Sequence, residues 1–107
     1  MPNNFLIKYI SAHKNRDINK LSMLYKLPFL VRDNSGVVSY LETKTELEKY
    51  IDRRLSECND ISSVEYVGNI GSRFTLFNLK EYINSDFITR HLVVERIGER
   101  YFLISEE

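Results

Sequence analysis

The feature that most constrains the fold is a run of four β-prone segments in the second half of the sequence. They cover residues 64–70, 73–83, 87–97 and 101–105 and are rich in β-branched and aromatic side chains. Only two or three residues separate each segment from the next. Because connections this short join antiparallel neighbours, the sequence predicts a four-stranded antiparallel meander.

Both faces of this predicted sheet carry apolar side chains. Phe74 and Leu76 point to one face, whereas Phe77 and Leu79 point to the other, because side chains alternate along a strand. One face can pack against the helices, and the apolar side chains of the other face need a partner surface to bury them. We therefore expect a homodimer that forms through the outer face of the sheet.

Three helices are predicted in the first half of the chain. Apolar residues spaced three and four apart indicate a first helix from about Asn3 to Asn15. Asp17 can cap a second helical segment by accepting a hydrogen bond from an exposed backbone N–H. Thr43-Lys44-Thr45-Glu46 matches the capping box that begins a third helix, which ends near Asn59.

A short hairpin is predicted between the second and third helices. Residues 27–31 contain Pro28 and indicate a short edge strand or an extended connector, since proline cannot donate a hydrogen bond to a sheet. Asp33 and Gly36 suit the first and last positions of a type I turn, after which residues 37–41 return as a second strand.

Composition narrows the class of protein. The 107 residues suffice for one domain with a single core. Lys plus Arg and Asp plus Glu both total 15, so no net charge steers the chain to nucleic acid or to an anionic membrane. The sequence has neither a secretory signal nor a run that approaches the ~18 apolar residues of a membrane span. Cys58 is the only cysteine, which favours a reducing, cytoplasmic location.

We also expect no cofactor and no metal. His13 and His91 are the only histidines, and together with a single cysteine they offer no spacing known for zinc ligands. The four glycines form no phosphate-binding loop.

The order of these elements resembles the nuclear-transport-factor-2-like superfamily, which includes SnoaL-like cyclases and ketosteroid isomerases. The residues that carry the resemblance are Tyr9, Asp17, Ile18, Tyr25, Val31, Asp33, Gly36, Thr43 and Gly98. It implies an α+β fold, in which a cone-shaped, curved antiparallel sheet wraps around the N-terminal helices as a cystatin-like roll. It also implies a deep apolar pocket, open at one end, within a single SnoaL-like domain over residues 1–107.

The resemblance also implies candidate catalytic residues. Ketosteroid isomerases use an aspartate as proton shuttle and an oxyanion hole made by a tyrosine and a protonated aspartic acid. By this resemblance Tyr9 falls at the oxyanion tyrosine and Asp33 at the proton shuttle. Arg90 or His91 falls at the second acid, and neither can act as a neutral carboxylic acid. An isomerase, dehydratase or cyclase with Asp33 as base, and with Tyr9 and one of these two residues stabilising an anion, is therefore one alternative.

Ordinary structural roles would also explain the two catalytic candidates. Asp33 can bond to the backbone of its own turn, and Tyr9 can supply core area with a satisfied hydroxyl. We therefore favour a domain without catalysis that binds an apolar or mixed-polarity small molecule, or a homodimeric interaction module. The candidate ligand-binding residues are Tyr9, Tyr25, Tyr50, Asn78, Arg90 and His91. Binding of a protein partner is a third alternative.

Overall fold

The structure is a computed structural model that describes residues 3–32, 35–57, 60–83 and 86–106. The described residues form three helices, which are α1 (Asn3–Lys14), α2 (Ile18–Ser22) and α3 (Lys44–Glu57). They also form six strands, which are β1 (Tyr25–Arg32), β2 (Val38–Leu41), β3 (Asp60–Ile70), β4 (Phe74–Ile83), β5 (Asp86–Ile97) and β6 (Arg100–Glu106). No helix among these described residues is both long and apolar enough to cross a bilayer.

The strands form one curved sheet in the order β2-β1-β6-β5-β4-β3. The four C-terminal strands are the predicted antiparallel meander. β1 adds to this meander in parallel beside β6, and β2 pairs with β1 in antiparallel orientation. The predicted α+β class and the sheet curved around N-terminal helices are therefore confirmed, with one parallel pair that makes the sheet mixed.

The two predicted helix caps are present. The backbone N–H of Lys20 donates to Asp17 Oδ1 over 3.1 Å at the start of α2. At α3 the Glu46 N–H donates to Thr43 Oγ1, and the Thr43 N–H donates to Glu46 Oε1, both over 3.2 Å. This reciprocal pair is the capping box, so local side-chain chemistry sets where both helices begin.

The predicted hairpin is present, but its first strand does not lie at the edge of the sheet. β1 lies between β2 and β6, and β2 is the edge strand. The edge-strand prediction was wrong because the β1–β6 pairing is irregular between Tyr25 and Leu30, and Pro28 falls inside that irregular stretch. The predicted turn residues Asp33 and Asn34 lie outside the described residues.

The core lies between the helices and the inner face of the sheet. α1 and α3 contribute one side of it and the meander contributes the other. The fully buried apolar side chains include Tyr9, Leu21, Phe29, Leu47, Ile51, Leu79, Leu92, Val94 and Leu103. Burying a side chain of this size stabilises the fold by about 1.5–3 kcal/mol. Phe77 and Leu79 are buried while Phe74 and Leu76 are half-exposed on the other face, as their alternation predicts.

A β-bulge in β6 decides which of its last residues face the core. Leu103 pairs with Val94 and Ser105 pairs with Val93, so β6 has one more residue here than β5. The extra residue reverses the alternation of side chains. Glu106 consequently pairs with the buried Leu92 and points to the inner face, on the same side as Leu103.

Candidate functional site

A single buried carboxylate gathers three tyrosine hydroxyls in the interior. Tyr9 Oη donates to Glu106 Oε2 over 2.7 Å, and Tyr50 Oη donates to Glu106 Oε1 over 2.7 Å. Tyr25 Oη lies between the two carboxylate oxygens, 3.2 Å from Oε1 and 3.1 Å from Oε2. Glu106 is only 2% exposed, so these hydroxyls take the place that water would occupy around an exposed carboxylate.

Four separate elements bring these side chains together. Tyr9 comes from the inner face of α1, Tyr50 from α3, and Tyr25 from the first position of β1. Glu106 comes from the end of β6, where the bulge turns it inward. The parallel pairing of β1 with β6 sets Tyr25 beside Leu103, and so places its hydroxyl near the end of the same strand.

Three arginine–carboxylate contacts continue this network. Arg54 Nε lies 3.5 Å from Glu106 Oε1, and Arg54 Nη2 donates to Glu81 Oε1. Arg90 Nε lies 3.3 Å from Glu81 Oε2. Arg54 and Glu81 are 6% and 0% exposed. Charged side chains that are buried this completely are tolerated only when they are paired with an opposite charge.

The network holds Glu106 in its ionised form. Burial by itself raises the pKa of a carboxyl, but here Arg54 and the hydroxyls of Tyr9 and Tyr50 outweigh it, so the pKa of Glu106 lies below its ordinary value. Burial and the neighbouring Glu106 raise the pKa of Tyr9 and of Tyr25 well above the usual range of a phenol. These tyrosines therefore act as neutral donors to an anion.

His13 lies at the edge of the network with a neutral imidazole ring. Its ring centroid is 5.8 Å from that of Tyr9, and the residue is 7% exposed. Burial, assisted by the positive charge of Arg54, lowers the pKa of His13 to about 4. Among the described residues, no group reaches His13 Nε2, Arg54 Nε or Arg54 Nη1 with a hydrogen bond.

An open cleft of about 220 Å³ leads from the surface to this network. It is bounded by α3 and by β1, β5 and β6. The residues that line it are Val31, Arg32, Tyr50, Arg53, Arg54, Glu57, Arg90 and Glu106. Four of these eight residues are arginines, and we call this feature the arginine cleft.

The structure brings together some of the residues predicted from the sequence and separates others. Tyr9, Tyr25 and Tyr50 meet at Glu106, and Tyr50 and Arg90 also line the arginine cleft. Asn78 and His91 pair with each other across β4 and β5, with Oδ1 and Nδ1 2.7 Å apart. They lie on the outer face, because both neighbours of Asn78 along β4, which are Phe77 and Leu79, are buried on the inner face.

The catalytic hypothesis stays a prediction. Asp33, its proposed base, lies outside the described residues. Tyr9, its proposed oxyanion donor, is completely buried and already donates its hydroxyl proton to Glu106. No group of three or more histidine, cysteine or acidic residues that could hold a metal ion occurs in the described part of the chain.

Sequence reasoning missed Arg54, Glu81 and Glu106. Arg54 follows Leu47, Tyr50 and Ile51 at helical spacing, so its place in the apolar stripe of α3 was a readable signal of burial. Glu81 likewise continues the inward alternation along β4. Glu106 had no such signal, because only the bulge in β6 turns it inward.

Known protein structures resemble this fold throughout the chain. No protein-family model and no curated protein matches the sequence. An NTF2-like protein of unknown function from Shewanella oneidensis has a TM-score of 0.67 and 13% identity, with 99% of this chain and 97% of that one covered. A protein of the NTF2-like family from Streptomyces avermitilis, provisionally named a dehydratase, has a TM-score of 0.65 and 14% identity, covering 94% and 88% of the two chains.

A third similar structure is named as an association domain. It is assigned as a calcium/calmodulin-dependent protein kinase type II association domain from Thiobacillus denitrificans, with a TM-score of 0.70 and 9% identity, covering 100% of this chain and 92% of that one. At these identities the similarity establishes the fold and leaves the activity open. The chain has the NTF2-like fold, as its resemblance to that superfamily predicted.

Proposed function

We propose that this protein is a non-catalytic binding domain whose ligand is a small organic anion held in the arginine cleft. The observation that carries the proposal is that four arginines, Arg32, Arg53, Arg54 and Arg90, line one small recess together with Tyr50. Guanidinium groups bind carboxylates through two parallel hydrogen bonds, which makes them the side chains most suited to this class of ligand.

The balance of charge in the cleft favours an anion. Glu57 and Glu106 also line it, and Glu81 pairs with Arg54 and Arg90 just behind its wall. Among the described residues of the cleft and of the wall behind it, arginines outnumber carboxylates by four to three. A ligand with one carboxylate would neutralise this excess in a partly enclosed site, where the effective dielectric constant is lower than in water.

Arg54 is a buried residue of the cleft whose hydrogen bonding is incomplete. Among the described residues, no group accepts a hydrogen bond from Arg54 Nη1. Because the side chain is only 6% exposed, water has little access to it. A buried donor without a partner costs about 1–3 kcal/mol. A small shift of the guanidinium toward an entering carboxylate would satisfy it, so ligand binding would recover part of that cost.

The volume of the cleft suits a ligand of a few carbon atoms. Its volume of about 220 Å³ corresponds to roughly seven water molecules at ~30 Å³ each. Pockets for drug-sized ligands are larger, about 300–1,000 Å³. Tyr9 and Tyr25 lie beneath the cleft and hold Glu106, so in this proposal they position Tyr50 and Arg54 and do not touch the ligand.

The test is a thermal-shift and calorimetric titration with matched pairs of small acids and amides, such as butyrate with butyramide. Binding of the acid raises the melting temperature, because a ligand that binds only the folded state stabilises it. Arg90→Gln should weaken binding by at least about tenfold, since a charge-assisted hydrogen bond contributes about 1.5–3 kcal/mol.

Arg53→Gln is the second variant in this test, and Lys49→Gln is the matched control. Arg53 lines the cleft and is exposed, so its loss should weaken binding without unfolding the protein. Lys49 is exposed on the same helix and does not line the cleft. Equal melting shifts from the acid and its amide, or equal affinity in all three variants, would contradict the proposal.

We further propose that the outer face of the sheet forms a homodimer. Large apolar side chains lie on this face at half-exposed or exposed positions, and they are Ile70, Phe74, Leu76, Tyr82, Phe87, Val93 and Phe102. Tyr82 and Phe87 are 38% and 46% exposed, and their rings contact each other at a tilt, with centroids 3.8 Å apart. A sheet face of this composition is more often covered than solvated.

Analytical ultracentrifugation at a protein concentration of roughly tens of micromolar tests whether the dimer forms. The unchanged protein should sediment as a dimer, and Val93→Lys should sediment as a monomer, because Val93 lies opposite Leu76 in the middle of the face. Lys44→Glu, on the exposed start of α3, is the control and should remain dimeric. A monomer in all three samples would refute the proposal.

A further inference from the structure

A second recessed surface runs along the exposed side of α1, away from the arginine cleft. Two adjoining troughs of about 320 and 420 Å³ share Lys8, Met23, Leu24 and Arg100 and form one continuous surface. We call it the α1 groove, and the lining residues that matter below are Ile7, Lys8, Lys20, Met23, Leu24 and Arg100.

The floor and walls of the α1 groove expose large apolar side chains next to one another. Ile7 is 66% exposed and Met23 is 63% exposed, and both line the same trough beside Leu24. Methionine is flexible and polarisable, and it is frequent on surfaces that adapt to a protein partner. Apolar side chains grouped in a groove, and not scattered singly, indicate a place where another surface docks.

Positive charge surrounds this apolar surface. Lys8, Lys20 and Arg100 line the groove, and within the described ranges none of them lies within ion-pair distance of a carboxylate. Arg100 is additionally held with its guanidinium 5.0 Å from the centroid of the Phe102 ring. Glu99 is the one acidic residue that lines either trough of the described surface. The groove therefore has cations available for an acidic partner.

We propose that the α1 groove docks an acidic amphipathic α-helix of a partner protein. The groove residues on α1 recur at helical spacing, so the surface follows the helix axis. α1 has 12 residues and is therefore about 18 Å long at 1.5 Å per residue. A partner helix of about four turns could lie alongside it, with leucines on the apolar floor and glutamates beside Lys8, Lys20 and Arg100.

Two other occupants fit the same observations less well. A lipid chain needs an enclosed apolar site that buries most of its surface, whereas both troughs are only partly enclosed. Nucleic acid binding needs a larger basic surface than three cations on a chain with no net charge.

The probe for this proposal is a fluorescein-labelled synthetic peptide of about 16 residues, with leucine at positions i, i+3, i+4 and i+7 and glutamate beside them. Fluorescence anisotropy should give saturable binding with a Kd of roughly 10–100 μM, which is usual for a small groove. A scrambled peptide of the same composition and a peptide with lysine in place of glutamate are the controls, and both should bind at least about tenfold more weakly.

Three variants connect the binding to the groove. Lys8→Glu and Arg100→Glu should each weaken binding by about fivefold or more and reduce its salt dependence, because each reverses a rim charge. Ile7→Ser should weaken binding without changing the salt dependence, since it removes apolar contact alone. Lys49→Glu reverses an exposed charge on α3 outside the groove and should bind like the unchanged protein.

Each remaining outcome overturns the proposal. Absence of saturation up to about 500 μM peptide would exclude a specific docking site. Equal binding of the scrambled peptide, or full binding by Lys8→Glu and Arg100→Glu together, would place the interaction elsewhere. Binding to mixed phosphatidylcholine and phosphatidylglycerol vesicles, about a quarter anionic, without binding to the peptide would assign the groove to a membrane surface. Circular dichroism melting of every variant separates these results from loss of folding.

Discussion

Glu106→Gln is the substitution that most directly tests the buried network. It keeps the size of the side chain but removes the charge that pairs with Arg54 and accepts hydrogen bonds from Tyr9, Tyr25 and Tyr50. The glutamine amide offers one acceptor oxygen where the carboxylate offers two, and its NH₂ group faces hydroxyls that already donate. Arg54 would keep only Glu81 as an ionic partner within the described residues.

The expected loss of stability is large for a single conservative change. Removing one partner of a buried ion pair costs about 3–5 kcal/mol, because the remaining buried charge loses compensation. Since Arg54 keeps Glu81, we expect the lower end of this range for Glu106→Gln. For a domain of about 100 residues, that loss lowers the melting temperature by at least about 10 °C. Urea unfolding followed by circular dichroism measures the free energy directly, provided that the m-value does not change.

Two further variants make this prediction refutable. Glu99→Gln removes an exposed carboxylate and should change the free energy of unfolding by less than about 0.5 kcal/mol. The double variant Glu106→Gln with Arg54→Met should lose less than the sum of the single losses, because the two side chains interact. A loss below about 1 kcal/mol for Glu106→Gln would mean that the carboxylate is not an ionised, buried partner of Arg54, and the electrostatic account of the site would be wrong.

Three other predictions follow from the same contacts. Glu106 has a folded-state pKa below its ordinary 4.5. The stability that it contributes is therefore present above pH 4.5 and is lost as the pH falls through the folded pKa. An acid titration of Glu106→Gln should lack this part of the loss of stability. His13 has a folded-state pKa of about 4 against an ordinary 6.5, so the unfolded state binds more protons between these values. The free energy of unfolding should fall by about 1.5 kcal/mol from pH 6.5 to pH 5, and His13→Phe should abolish that fall in urea titrations. Thr43→Ala breaks the capping box of α3 and should cost about 1 kcal/mol in the same assay, whereas Ser56→Ala at the exposed end of that helix should cost less.

The candidate site could be predicted only in part, and its residues explain why. Tyr9 and Tyr50 lie on helix faces whose spacing marks them as inward, and Arg54 shares that spacing with Leu47 and Ile51. What spacing does not reveal is the partner of an inward-pointing polar group. Asn78 and His91 were grouped with the tyrosines because strand register is weakly specified when both faces of a sheet carry apolar residues. The register places them on the outer face.

Local patterns along the chain were enough to determine the helix starts at Asp17 and Thr43 and the four strands of the meander. They also determined the alternation of side chains from Phe74 to Leu79. Each of these features depends on residues a few positions apart. The buried network depends on the complete fold. Tyr9 and Glu106 are 97 positions apart, and they meet only because β1 adds in parallel beside β6 and one extra residue in β6 turns the last glutamate inward. A bulge reverses the alternation on which a sequence prediction depends, so the packed tertiary structure alone decided which carboxylate the three tyrosines hold.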